Sequence, residues 1–75
     1  MQITERNQQK KYKKYYEKIT VGAMDRDHSL SVMQSNIERD HDKKKATHPA
    51  WVIRGIRLRI AAIKELRTQR LLHGI

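Results

Sequence analysis

The stretch IRGIRLRI, residues 53–60, decides the fold, because it can be read with two periods. With a period of two it is a strand, with Ile56, Leu58 and Ile60 on one side and Arg57 and Arg59 on the other. With a period of 3.6 it is part of a helix. A strand needs a partner, since its backbone N–H and C=O groups must be paired. The sequence offers no convincing second strand; ITV at 19–21 is too short. The segment that follows, AAIKELRTQRLL (61–72), is rich in strong helix formers. Residues 48–72 are therefore read as one helix. Thr47 or His48 is its expected cap, Pro49 suits its first turn, and Gly74 is its expected stop.

That helix has two apolar stripes. Ile53, Ile56, Ile60 and Ile63 form one; Trp51, Gly55, Leu58 and Ala62 form the other, about 140° away. Arg54, Arg57 and Lys64 occupy the remaining arc. Arg59 falls between the stripes, so its guanidinium must escape outward along its stem or find a carboxylate. A helix that is apolar on two sides requires two neighbours. Either the rest of the chain supplies both, or a dimer partner supplies one. Gly55 and Ala62 are small enough to allow a close helix approach.

Two further helices are legible. The first spans about residues 4–23, with Thr4 as cap and Glu5 in the favourable first turn. Tyr12, Tyr15, Tyr16, Ile19 and Ala23 fall within about a 100° arc, with the lysines of the run KKYKK on the other side. Gly22 marks its end or a kink. A weaker helix spans about residues 29–43, capped by Asp27 or Ser29, with Leu30, Met33 and Ile37 as a narrow apolar stripe that His41 continues. The expectation is one small all-α domain over residues 1–75, a bundle of two or three helices, completed by a partner if its own helices do not suffice.

The triplet Arg-Asp-His occurs twice, at 26–28 and 39–41. Such pairs suggest a metal site or an acid–base dyad. On one helix, however, His28 and His41 lie about 20 Å apart along the axis and on nearly opposite faces, too far to share an ion bound at about 2 Å. The expected roles are a helix cap and charge compensation. The chain has no cysteine, no Gly-rich phosphate loop and no metalloprotease or nucleophile-elbow motif. No enzyme activity, metal or cofactor is expected.

Charge is the strongest functional signal. Lys and Arg number 17 against 8 Asp and Glu, a net +9. The first twenty residues carry +4 and the last thirty +5, flanking a neutral middle. This pattern implies attraction to polyanions. The expected function is that of a small basic accessory or regulatory protein that binds DNA or RNA through phosphates. Lys10, Lys11, Lys13, Lys14, Arg54, Arg57, Lys64, Arg67 and Arg70 are the candidate contacts. A helix-turn-helix fits poorly, because KKKATHP is too long for its turn.

The alternative is an inhibitor or adaptor that docks onto an acidic protein or a nucleoprotein complex, with Trp51, Arg54, Arg57 and Leu58 as anchors. Small size and high charge would suit a phage or plasmid origin. No apolar run approaches the roughly 20 residues needed to span a bilayer, and MQITERNQQKKYKKYY lacks the apolar core of a secretory signal. A cytoplasmic location is expected, and the absence of cysteine fits it.

Overall fold

The computed structural model describes residues 3–73 and contains three helices, α1 (Ile3–Ile19), α2 (Arg26–Lys44) and α3 (Ala50–His73). IRGIRLRI lies within α3, and the described residues include no strand. The chain is a small all-α bundle. α3 is the central element: α1 and α2 each pack on it and touch each other little. The two apolar stripes thus meet two neighbours from the same chain, which leave the Trp51–Gly55 end of the second stripe uncovered.

Side-chain pairs give the directions. Glu5 meets Arg54 and Lys13 meets Glu65, so α1 runs parallel to α3. Asp27 meets Arg67 and His41 meets Arg57, so α2 runs antiparallel to it. Near the α1–α2 turn the three helices close on a core of Tyr16, Leu30, Ala62, Ile63 and Leu66, with Met33 and Ile37 against it. Toward the other end α1 and α2 part, and α3 is left uncovered between them.

The helix boundaries differ from expectation for local reasons. α1 stops at Ile19, not Ala23. The Thr20 hydroxyl donates to the Tyr16 carbonyl at 2.7 Å, and Arg26 reaches back to donate to the Thr20 and Val21 carbonyls at 3.3 and 3.2 Å. These bonds satisfy the orphan carbonyls at the helix end, and Gly22 lies in the turn beyond. α2 begins three residues early because Asp25, rather than Asp27 or Ser29, is its cap. Asp25 is extended and its Oδ1 accepts from the His28 N–H at 3.0 Å. Asp27 is thereby released to pair with Arg67. α3 starts at Ala50, after Pro49, whose carbonyl accepts from Val52 and Ile53. Thr47 does not cap it; its hydroxyl instead meets the His48 ring. The expected stop at Gly74 lies outside the described residues.

α1 is also rotated relative to the tyrosine arc. The buried residues are Tyr16 and, just past the helix end, Thr20, while Tyr15 and Ile19 are largely exposed. The rotation brings Gln9 and Lys13 to Glu65 of α3, at 3.0 and 3.2 Å. Thr20 can be buried because its hydroxyl is already bonded to a carbonyl of the last turn of α1. Burial raises the Tyr16 phenol above its ordinary value near 10, and the nearby Arg59 pulls it partly back. A raised folded pKa means a contribution to stability that is fully present below pH 10 and is lost as pH climbs through the folded value. We expect stability in urea to drop in that alkaline window, and Tyr16→Phe to make this drop smaller.

Candidate nucleic-acid interface

The nine candidate phosphate contacts fall into four settings. Arg54, Arg57 and Lys64 are exposed on the solvent face of α3. Their spacing of i, i+3 and i+10 keeps them within about a 90° arc. Arg67 lies at the edge of this stripe. Three shallow hollows run along the seam between α2 and α3. One is lined by Lys45, His48, Arg54 and Arg57, the next by His41, Arg57 and Lys64, and the third by Gln34, Lys64 and Arg67. Because adjacent hollows share Arg57 and then Lys64, the basic side chains form one continuous line. From Arg54 to Arg67 it extends about 20 Å along the helix.

The seam's side chains are held to different degrees. Arg67 is fixed: its Nε donates to Asp27 Oδ1 at 3.1 Å and its Nη1 to Gln34 Oε1 at 3.0 Å. The Arg57 Nε donates to His41 Nε2 at 3.4 Å, while His41 Nδ1 faces Asp42 at 3.4 Å. With Nε2 accepting, the proton of a neutral imidazole sits on Nδ1, toward that carboxylate. Arg57 is thus oriented by a ring and has no acidic partner within 4 Å among the described residues. Arg54 pairs with Glu5 only at 3.6 Å and Lys45 with Asp42 at 3.9 Å, both at the surface. Exposed pairs of this kind contribute little and exchange readily. Lys64 has no acidic partner within 4 Å among the described residues.

The second setting is the outer face of α1. Lys10, Lys11 and Lys14 are exposed there and likewise have no acidic partner among the described residues. Lys11 lines a separate hollow with Tyr15 and Arg59 and is not part of the seam. Lys13 has a third setting: it is partly buried and joins α1 to α3 through Glu65. Arg70 has a fourth: it is partly buried, and its Nη1 is enclosed without a hydrogen-bond partner among the described residues.

Among the alternative anchors, Trp51 is 74% exposed and Leu58 only 4%. Leu58 belongs to the chain's own packing against a neighbouring helix, and its side chain is not available to a docking protein. Within the chain no other helix comes close to Gly55: a Cβ built there meets nothing within 4 Å among the described residues. Ala62, by contrast, is fully buried. Arg59 finds a ring rather than a carboxylate, with its guanidinium 5.1 Å from the Tyr12 centroid, a cation–π contact.

Sequence reasoning missed Lys45 and His48 as members of the seam. Their place depends on how the α2–α3 connection turns, which residue types alone do not signal. The two Arg-Asp-His triplets sit at opposite ends of the single helix α2, and the described residues hold no cluster of three metal-ligating side chains. No described helix is long and apolar enough to cross a membrane. The chain matches no protein-family model, no curated protein and no solved structure; any functional reading rests on its own residues.

Proposed function

We propose that this chain is a small, non-enzymatic accessory or regulatory protein that binds the phosphate backbone of a nucleic acid, in the cytoplasm, along the seam between α2 and α3. The observation that supports this most is the continuous line of Lys45, Arg54, Arg57, Lys64 and Arg67. A surface that presents charge without a shaped, deep pocket suits the backbone, which needs only positive groups at reach and gives no sequence readout. About 20 Å of duplex axis spans roughly six base pairs, enough for each seam cation to meet its own phosphate.

The test is the salt dependence of duplex binding. With four or five phosphates neutralised, log K is expected to fall against log salt with a slope of about −4. A slope near zero, or no binding at low ionic strength, would overturn the proposal.

A second reading, docking onto an acidic protein, is favoured by the exposure of Trp51 three residues from Arg54, a pairing typical of interface hot spots. Affinity capture separates the two readings. One saturable protein partner that survives nuclease treatment favours docking; partners that vanish with nuclease favour the phosphate seam.

A further inference from the structure

Where α1 and α2 part, on the side of α3 away from the seam, an open groove of about 290 Å³ is left. Val52, Gly55 and Ile56 of α3 form its floor, and Trp51 lies at one end. Tyr12 of α1 and the Asp40–Lys44 pair of α2 form its walls. A second hollow, lined by Lys11 and Tyr15, continues it, and the two share Tyr12 and Arg59. We infer that this groove takes the nucleotides of a single strand, with bases stacked on Tyr15 and Trp51 and phosphates held by Lys11 and Arg59. The inference rests on the same affinity for nucleic acid as the seam but concerns a different face and a different form of the ligand.

Three observations carry it. First, the groove presents aromatic rings outside the core. Tyr15 is 57% exposed yet held edge-on against Tyr16, with centroids 5.2 Å apart and planes at 77°. Trp51 is more exposed still. Rings that are placed and solvent-facing are stacking platforms for any base.

Second, the charge is complementary and local. Lys44 is neutralised by Asp40 at 3.1 Å, whereas Lys11 and Arg59 have no acidic partner within 4 Å among the described residues. The Arg59 guanidinium lies 5.1 Å from the Tyr12 ring centroid, an uncharged partner that leaves its positive charge available to an anion. A purely apolar helix face laid in the same groove would bury this cation unpaired, which is strongly unfavourable. A nucleotide supplies a flat apolar face and an anion together.

Third, Gly55 is unexplained by packing. A glycine inside a helix is destabilising, and no neighbour approaches the position its Cβ would occupy. An open backbone on the groove floor admits close approach by a ligand.

Trp51 is the chain's single tryptophan, so its emission reports on the groove. The full chain is titrated at low salt with oligothymidine, with an abasic strand of equal length, with thymidine monophosphate and with oligoglutamate. Oligothymidine is expected to quench Trp51, and the abasic strand and oligoglutamate to leave it unchanged. Gly55→Leu fills open space and should fold, while single-strand affinity falls about tenfold and duplex affinity is kept. Tyr15→Ala, outside the core, should weaken single-strand binding similarly. The variant R57Q/K64Q should do the reverse, losing duplex affinity and keeping the quench, so failure of the seam and failure of the groove are told apart. No quench by oligothymidine, an equal quench by the abasic strand or by oligoglutamate, or unchanged affinity in both groove variants would overturn the inference. Saturation by the monophosphate at equal nucleotide concentration would assign the groove to a free nucleotide and overturn the single strand.

Discussion

Ile63→Ala is expected to leave the chain with little or no stability at 25 °C. Ile63 is fully buried, at the point where all three helices meet. Truncating a buried isoleucine costs about 2–5 kcal/mol, because the cavity adds to the lost transfer energy. A single core in a chain of this size rarely supplies more than about 3–5 kcal/mol in total. The substitution therefore consumes nearly all of the stability, and Leu30→Ala, on the facing helix, should behave alike. Far-UV circular dichroism across a urea gradient reads the effect. Val32→Ala is the control: Val32 is half-exposed on α2, and its loss should change stability by about 0.5 kcal/mol or less. If Ile63→Ala unfolds at the same urea concentration as the parent, α3 does not lie between α1 and α2 as described.

The largest effect on binding is expected from the triple variant Arg54→Gln, Arg57→Gln, Lys64→Gln. Each lost phosphate contact removes about 0.9 from the slope of log K against log salt, so three remove about 2.7. If parent and variant converge near 1 M salt, as electrostatic binding requires, duplex affinity at 0.1 M falls by two to three orders of magnitude, on the order of 500-fold. The comparison that gives this meaning is Lys10→Gln, Lys11→Gln, Lys14→Gln on α1. Both variants remove three charges from the same +9, so a general attraction to polyanions would weaken equally in both. A contact at the seam predicts that the α1 variant keeps its slope within about one unit. All six side chains are exposed, so folding should survive in each case, which circular dichroism checks.

Much of the fold is legible in the residues. The two stripes of α3 imply two neighbours, and the Leu30, Met33 and Ile37 stripe identifies the face of α2 that one of them presents. What the pattern does not reveal depends on pairs distant in sequence. α1 turns its Gln9–Lys13 edge toward Glu65, more than fifty residues away, which moves Tyr15 out of the core that its spacing suggests. Asp25, Asp27 and Ser29 are all chemically able to cap α2. The choice of Asp25 frees Asp27 for Arg67, a contact across forty residues.

The candidate site was legible by type and not by place. Composition identifies the basic residues, but partners decide which remain available. Lys13 is drawn into the packing of α1 on α3, while Lys45 and His48 are brought to the seam by the course of one connection. The groove had no sequence signature, because it arises from the divergence of two helices, which no local pattern encodes.

The most direct test of the seam is a nuclear magnetic resonance titration of the isotopically labelled chain with a short duplex at low salt. The resonances of Lys45, Arg54, Arg57, Lys64 and Arg67 are expected to shift most and to saturate together, with the outer face of α1 little changed. Shifts spread evenly over every lysine and arginine, or concentrated on Lys10 and Lys14, would contradict it.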